Sequence, residues 1–284
     1  QFSTQTTERG LVLKAGIFLD VENLSRNGGW GIRYEVIKEL VAAQGQIIVL
    51  RANAYLAVDE DREQDDLAYR QRQSDYRAAI RRTGFHLIHK TVRRYRDSEG
   101  ELVLKANADL DLAVDALLQS DNLDYILLGS GDGDFLRLVR ALQNRGKRVD
   151  LLSFSNTSND LVREVDNYFN GFLIPGIVPP DGARENRMRG VMHAVHEDRG
   201  FGFLTVRTGL GPDDVRYDVF CHITDFTRSG QPMDNASFAA LRNRRAIIEF
   251  DLAPTEDGRV KAVNAREFRW AGRHEAAATN GERE

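Results

Sequence analysis

Short apolar runs alternate with amphipathic segments over residues 15–175, and this alternation predicts strands interleaved with helices. The predicted strands are GIFLD, IIVLRANAY, FHLIHK, DYILLG and RVDLLSF. The predicted helices cover residues 34–43, 61–82, 109–118, 135–144 and 159–169. Strands that are apolar almost throughout are buried on both faces, so the pattern favours an α/β fold with a parallel sheet covered by helices.

The segment 109–118 has the clearest helical pattern. Its apolar residues recur at i, i+3, i+4, i+7 and i+8, which predicts one buried face made of Leu110, Ala113, Val114, Leu117 and Leu118. Asp109 stands in the first turn, where an acidic residue often only caps the helix by accepting backbone N–H groups.

The pattern changes beyond residue 175. Half of the prolines lie in the segment 175–188, and this composition predicts a linker. Five short strand-like runs follow: GVMHAVHE, GFGFLTV, DVFCHITDF, AIIEFDL and VKAVNAREF. With no long helix between them, they predict a small all-β barrel. The predicted organisation is a first domain over 14–175, a linker over 176–186, a barrel domain over 187–272 and a disordered tail over 273–284.

Composition and charge narrow the class of protein. The net charge is −4, so a surface that binds nucleic acid must be local. Cys221 is the one cysteine, which excludes an intramolecular disulfide and a cysteine-based zinc site and fits a reducing compartment. No apolar run approaches the roughly 18 residues of a membrane span, and the first residues lack the apolar core of a signal peptide. These features predict a cytoplasmic protein with no membrane partner.

Four carboxylates stand close to strand ends or a helix start. Asp20 ends GIFLD, Asp132 and Asp134 lie in the Gly-rich turn after DYILLG, and Asp109 opens the helix described above. Ligands of open α/β sheets bind beyond the carboxyl ends of the strands, so these side chains should converge. Converging carboxylates repel each other unless a cation compensates them, and an all-oxygen ligand set favours Mg²⁺ or Mn²⁺. The first hypothesis is therefore metal-dependent phosphodiester chemistry.

Two other interpretations of these carboxylates stay open. Asp132 and Asp134 could belong to an ordinary Gly/Asp-rich surface turn. Asp20 could be the nucleophile of a phosphatase of the haloacid-dehalogenase type, although that family needs a second Asp at the position of Glu22. No GxxxxGK[ST] occurs and no GxGxxG follows the first strand, which argues against dinucleotide or nucleoside triphosphate binding.

The motifs FLDVENL, KANADLDLAVDAL, ILLGSGDGDF and SNDLVREVDNYF occur in the order and spacing of the NYN domain. Residues 14–175 thus resemble that domain, including its LabA-like group, within the PIN-like nuclease superfamily. The resemblance implies a Rossmann-like PIN fold, metal-dependent cleavage of RNA and the capacity to form a homodimer. By position it implies a metal-binding cluster of Asp20, Asp109, Asp132 and Asp134, with Asn23 and Asp115 at further motif positions.

One stretch departs from the NYN pattern and also carries basic residues. The segment from Lys105 to Asp109 is one residue longer than in the family, which puts in doubt whether Lys105 reaches the site. Before it, an expected hairpin carries the RNA-binding candidates Arg93, Arg94, Tyr95 and Arg96. Basic residues with an aromatic among them suit a phosphate backbone and a stacked base, and a solvated charged hairpin is the equal alternative.

The C-terminal runs place Phe201, Phe203, Phe220 and His222 at alternating strand positions, which sends all four to one face. This face is either part of the barrel core or an exposed platform that stacks bases. The stretch GVMHAVHEDRGFGFLTV…DVFCHITDF resembles a cold-shock domain, an OB-type barrel that binds single-stranded nucleic acid. His193 and Ala194 stand where that family has Trp and Phe, so one or two stacking partners are missing.

Both resemblances imply the same substrate class. The preferred hypothesis is a metal-dependent ribonuclease that uses Mg²⁺ or Mn²⁺ and whose C-terminal barrel captures single-stranded RNA, with DNA not excluded. The alternatives are a non-catalytic RNA-binding regulator built from the same two modules and, third, a phosphatase acting on a small metabolite.

Overall fold

The computed structural model of the chain describes residues 12–91, 93–96, 102–105, 108–178, 187–228, 231–255 and 258–270, with only the backbone for 93–96, 102–105, 227–228 and 231–232. The chain divides into two compact units. The first takes in the residues before Leu24 together with Ile37–Leu152 and Thr157–Tyr168. The second takes in Leu24–Val36, Ser153–Asn156 and the residues from Phe169 onward.

The described helices and strands follow each other in a largely alternating order up to β8. The helices are α1 Val21–Arg26, α2 Tyr34–Ala42, α3 Glu60–Asp65, α4 Leu67–Arg82, α5 Ala108–Gln119, α6 Leu136–Asn144, α7 Asn159–Glu164 and α8 Asn235–Asn243. The strands are β1 Leu13–Asp20, β2 Ile47–Val58, β3 His86–Thr91, β4 Arg93–Arg96, β5 Leu102–Lys105, β6 Tyr125–Gly129, β7 Arg148–Ser153, β8 Asn167–Asn170, β9 Met188–His196, β10 Phe201–Arg207, β11 Val215–His222, β12 Thr227–Arg228, β13 Gln231–Pro232, β14 Ile247–Pro254 and β15 Val260–Glu267.

A six-stranded sheet in the order β3-β2-β1-β6-β7-β8 confirms the predicted α/β fold. β1 pairs in parallel with β2 and with β6, which puts the carboxyl ends of these strands at one edge. The pairing of Leu19 with Gly129 sets Asp20 beside the residue that follows β6. All five residues of β6 and the last six of β1 are buried, as expected for central strands covered on both faces.

The prediction for the buried face of α5 is wrong for three of its five residues. Leu110, Val114 and Leu118 are exposed, with Leu118 at 70% of its accessible surface, while Ala113 and Leu117 are partly buried against the core. The fully packed stripe is Ala108, Leu112 and Ala116. Two small alanines let the helix backbone lie close to the sheet, whereas the apolar period alone favoured the larger side chains.

Two predicted helix boundaries also need correction. The helix expected over 61–82 is two helices, because Asp66 adopts an extended conformation and accepts a hydrogen bond from the Tyr69 N–H at the start of α4. The helix expected over 159–169 ends at Glu164, and the chain continues into β8 at the edge of the sheet. A polar cap interrupts the first predicted helix, and a strand pairing ends the second.

The five predicted barrel strands are confirmed as a closed barrel in the order β10-β11-β15-β14-β9. Most neighbours are antiparallel, and β11 and β15 pair in parallel at Phe220 and Cys221. A helix that was not predicted, α8, precedes β14. Asp234 caps this helix by accepting from the Ser237 N–H, and Phe238 fills the barrel core completely buried.

Among the helices that the structure describes, none is long and apolar enough to cross a membrane.

Candidate active site

Asp20 is a buried carboxylate at the last position of β1. It is 6% exposed, and it accepts hydrogen bonds from the Asn23 backbone N–H at 3.0 Å and the Ser130 hydroxyl at 3.3 Å. Burial, followed by the charges of Asp109 and Glu22, raises the pKa of Asp20 to about 6, although both hydrogen bonds oppose the shift. The fold thus places a carboxylate where its negative charge is poorly stabilised.

The Gly-rich turn after β6 is fixed to the same strand edge. The Gly131 N–H donates to the Asn23 side-chain carbonyl at 2.8 Å, and the Asp132 N–H donates to the Ser130 hydroxyl at 3.2 Å. Asp132 in turn accepts from the Asp134 N–H at 3.0 Å and starts a short 3-10 turn. Asn23 and Ser130 therefore position the loop that carries both predicted carboxylates.

Asp109, at the start of α5, faces the same group of charges. Partial burial and then the negative charges of Asp132, Glu22 and Asp134 raise its pKa. The four predicted metal ligands are therefore close enough for their charges to interact through Asp109, as we expected from their positions along the chain. Glu22 acts on Asp109 as well, and sequence reasoning treated it only as a mismatch to another family. Its position two residues beyond Asp20, in the first turn of α1, was the available signal.

A divalent cation fits the chemistry of this group. The donors are carboxylate oxygens, and burial together with neighbouring negative charges raises the pKa values of Asp20 and Asp109, a cost that a bound cation offsets. Within the described ranges, no three His, Cys, Asp or Glu side chains already stand in an arrangement that could hold a metal ion. Binding would therefore need the carboxylates to close around the ion.

Asp115 contacts a different set of side chains. Its carboxylate accepts a hydrogen bond from the Tyr55 hydroxyl at 2.9 Å. Asn53 donates to the same hydroxyl at 3.4 Å and to the Gln119 side chain at 3.3 Å. Burial and the neighbouring carboxylate raise the pKa of Tyr55, so this hydroxyl stays a donor. In this structure Asp115 ties α5 to β2, and its predicted catalytic role stays a prediction.

The predicted basic hairpin has the expected backbone. β4 and β5 pair antiparallel, with Arg93 opposite Lys105 and Arg96 opposite Leu102. The side chains of the five candidates lie outside the described residues, so their RNA-binding role stays a prediction: Arg93, Arg94, Tyr95, Arg96 and Lys105.

The aromatic face of the barrel is present and is not part of the core. Phe201 and Phe203 on β10 and Phe220 and His222 on β11 are each partly exposed, while the residues between them are buried. The Phe201 and Phe220 rings are 5.5 Å apart at 34°, and Phe220 and His222 are stacked at 6.3 Å and 20°. Such a half-exposed set of rings can stack unpaired bases. We call these four residues the aromatic platform.

Sequence reasoning missed one ring beside the platform. His196, at the end of β9, stacks on Phe201 with centroids 4.5 Å apart. The pairing of His196 with Phe201 across β9 and β10 explains this contact. His193 instead approaches Tyr217 at 6.1 Å and its Nδ1 lies 3.1 Å from the Thr205 hydroxyl. His193 and His196 are three residues apart on a twisted and bulged strand. The sequence therefore did not indicate which of them packs beside the aromatic platform.

Comparisons with known proteins cover the α/β part of the chain. The NYN domain matches residues 14–173. The low amplitude and bright protein LabA of Synechococcus elongatus is 24% identical over 165 residues, which cover 56% of this chain and 82% of LabA. A solved Vibrio parahaemolyticus protein of unknown function is 25% identical, with a TM-score of 0.44, over 56% of this chain and 93% of that protein. Since the NYN match spans more than half of its residues, the chain belongs to the NYN domain family.

Proposed function

We propose that the protein is a metal-dependent ribonuclease that hydrolyses phosphodiester bonds of single-stranded RNA, and that its barrel captures the strand. The observation that carries the proposal is the convergence of Asp20, Asp109 and the Asp132 turn at one edge of the sheet, close enough for their charges to perturb each other. NYN domains belong to the PIN-like nucleases, which typically use divalent metals, and this membership supports the same chemistry.

Each carboxylate has a defined part in this proposal. Asp20, Asp109 and Asp132 would hold Mg²⁺ or Mn²⁺, and Asp134 would orient water or a second ion. A bound ion would polarise the scissile phosphate and lower the pKa of a bound water. The chain contributes placement: the Asn23 N–H and the Ser130 hydroxyl fix the orientation of the Asp20 carboxylate. No Ser, Cys or His nucleophile is needed for this hydrolysis.

The aromatic platform supplies the second part of the proposal. Its rings are spaced and exposed in a way that suits stacking of successive unpaired bases, as in cold-shock domains. Tethering the platform to the nuclease unit raises the local concentration of the strand without requiring tight binding by either unit.

A second candidate is a non-catalytic RNA-binding protein. Its support is that, among the described side chains, no three His, Cys, Asp or Glu are already arranged so that they could hold a metal ion. In that case the acidic group would serve the fold or the binding of a partner, and the platform would carry the function.

Cleavage of single-stranded RNA with Mn²⁺ or Mg²⁺ separates the two candidates. We expect the native protein to cut RNA, EDTA to stop it, and Asp132→Asn to reduce the rate at least a hundredfold. Asp111→Asn is the matched control, because Asp111 lies on α5 but pairs with Lys90 at 2.8 Å. Binding without cleavage by the native protein would favour the second candidate, and equal cleavage by Asp132→Asn would contradict the assigned site. Single-stranded DNA in parallel tests the choice of nucleic acid.

A further inference from the structure

A groove lies between α5 and α6, directly beside the acidic group. Its volume is about 390 Å³, within the range of sites that bind small molecules. Its mouth includes Asp109 and Asp134, two of the carboxylates assigned above. Its walls are apolar, with Ala113 and Leu117 from α5 and Ala141 from α6. A group held at the carboxylates could therefore extend an apolar part into this groove.

One basic side chain lines the mouth of the groove. Arg137, the second residue of α6, lines the groove and is exposed, and it forms no hydrogen bond or ion pair with any residue that the structure describes. Its neighbours are paired: Arg140 binds Glu164 at 2.9 Å, and Arg145 pairs with Asp121. Arg137 is thus a guanidinium available to an anion next to a negatively charged site.

We propose that this groove is a nucleotide subsite of the nuclease, which takes the base on one side of the scissile phosphate while Arg137 binds the phosphate of that nucleotide. Carboxylates alone repel an RNA strand, and a guanidinium at the mouth provides the complementary charge with bidentate geometry. The aliphatic walls suit the flat, weakly polar face of a base and carry no fixed donor or acceptor that would select one base. The inference rests on the proposed function, since it needs a phosphodiester at the acidic group.

Steady-state cleavage by the full chain tests the phosphate contact. Arg137→Gln should raise KM about tenfold, the loss expected for one charge-assisted contact, and Arg137→Lys should recover part of it. Arg140→Gln is the matched control on the same helix, since its guanidinium is already paired with Glu164. Equal KM values for Arg137→Gln and Arg140→Gln would overturn the assignment of Arg137.

Filling the groove tests the base contact. Ala141→Leu adds volume at a helix position where leucine is well tolerated, and it should raise KM for normal RNA several-fold. An RNA with one abasic nucleotide beside the cleaved bond should be cut equally by the native protein and Ala141→Leu, yet should stay sensitive to Arg137→Gln. If Ala141→Leu has the native KM and the native urea midpoint, no base enters the groove.

A crosslinking experiment that does not depend on RNA cleavage tests this inference separately from the proposed function. RNA that contains 4-thiouridine is irradiated with the Asp132→Asn protein, and the crosslinked peptides are identified by mass spectrometry. We expect crosslinks in Ala108–Gln119 or Leu136–Asn144 that Arg137→Gln reduces and Arg140→Gln leaves unchanged. Crosslinks confined to the barrel would overturn the subsite. The same crosslinks, together with no cleavage of RNA by the native protein, would keep the subsite as a binding site and refute the nuclease.

Discussion

Replacing Asp20 with asparagine is expected to stabilise the metal-free protein. Asn keeps the shape and can still accept from the Asn23 N–H, but it removes a buried charge. The pKa of Asp20 is raised from 3.8 to about 6 in the folded protein. At about 1.4 kcal/mol for each tenfold change in the ionisation constant, this shift corresponds to roughly 3 kcal/mol of folding free energy lost to ionisation.

The upward direction of the Asp20 pKa shift determines how the folding stability depends on pH. Because the pKa of Asp20 is higher in the folded state, the native protein loses stability as the pH rises from about 4 through about 6. The gain from Asp20→Asn should therefore be near zero at pH 4 and reach its full value above pH 7. A cation bound at the site should remove the stability advantage of Asp20→Asn over the native protein. A ligand at a hundred times its Kd stabilises the native protein by about 2.7 kcal/mol.

The assay must report the first unit separately from the barrel. Urea unfolding in EDTA, followed by pulsed hydrogen exchange and mass spectrometry of peptides from β1 and β6, gives its free energy of unfolding. Asp111→Asn is the control, since its carboxylate is paired with Lys90 and should give no gain at high pH. A loss of stability with Asp20→Asn at pH 8, or a gain of equal size at pH 4, would refute the buried-charge argument.

Three further substitutions test other contacts. Glu22→Gln removes a negative charge and should lower the pKa of Asp109 in EDTA, which carbon NMR of the carboxyl groups measures across a pH titration. Tyr55→Phe removes the hydrogen bond to Asp115 and should lower the free energy of unfolding by about 1 kcal/mol, measured by urea denaturation. Phe203→Ala should weaken binding of single-stranded RNA by roughly tenfold, since stacking on one ring contributes about 1–3 kcal/mol per base, measured by fluorescence anisotropy.

Two of these substitutions have a matched control. Asp111→Asn should leave the titration of Asp109 unchanged, and an equal shift would show a general charge effect. Leu252→Ala changes an exposed apolar residue on β14 outside the platform and should keep native RNA affinity. If Phe203→Ala binds RNA as tightly as Leu252→Ala, stacking on the platform is not the source of affinity. Unchanged stability of Tyr55→Phe would mean that water replaces the hydroxyl at Asp115 without cost.

The sequence predicted the sheet and the strand-end carboxylates because both depend on local patterns. A continuous apolar run identifies a central strand, and Asp20 and Asp132 then follow from where strands end. The buried side of α5 could not be predicted from a local pattern. Which side of α5 packs on the sheet depends on how closely the helix approaches it. A close approach favours the small residues Ala108 and Ala116 over Leu110. Periodicity counts apolar residues and carries no information about that distance.

In the barrel, too, local patterns predicted some features, and others depended on how the strands pair. Alternation along two strands was enough to predict that Phe201 and His222 share a face, because side chains in a strand alternate strictly. The stacking of His196 on Phe201 depends on the register between β9 and β10, which shifts at Phe203/Leu204 through a bulge. α8 was missed although Asp234 and Ser237 form a recognisable cap, because a barrel pattern gave no reason to look for a helix between strands.

Soaking a crystal of the protein in Mn²⁺ and measuring it at a wavelength where manganese scatters anomalously tests the proposed metal site directly. We expect an anomalous peak ligated by Asp20, Asp109 and Asp132, and no such peak in crystals of Asp109→Asn treated in the same way. Saturating Mn²⁺ with no peak between these carboxylates, or with peaks only at unrelated surface residues, would contradict a metal-dependent active site at this edge of the sheet.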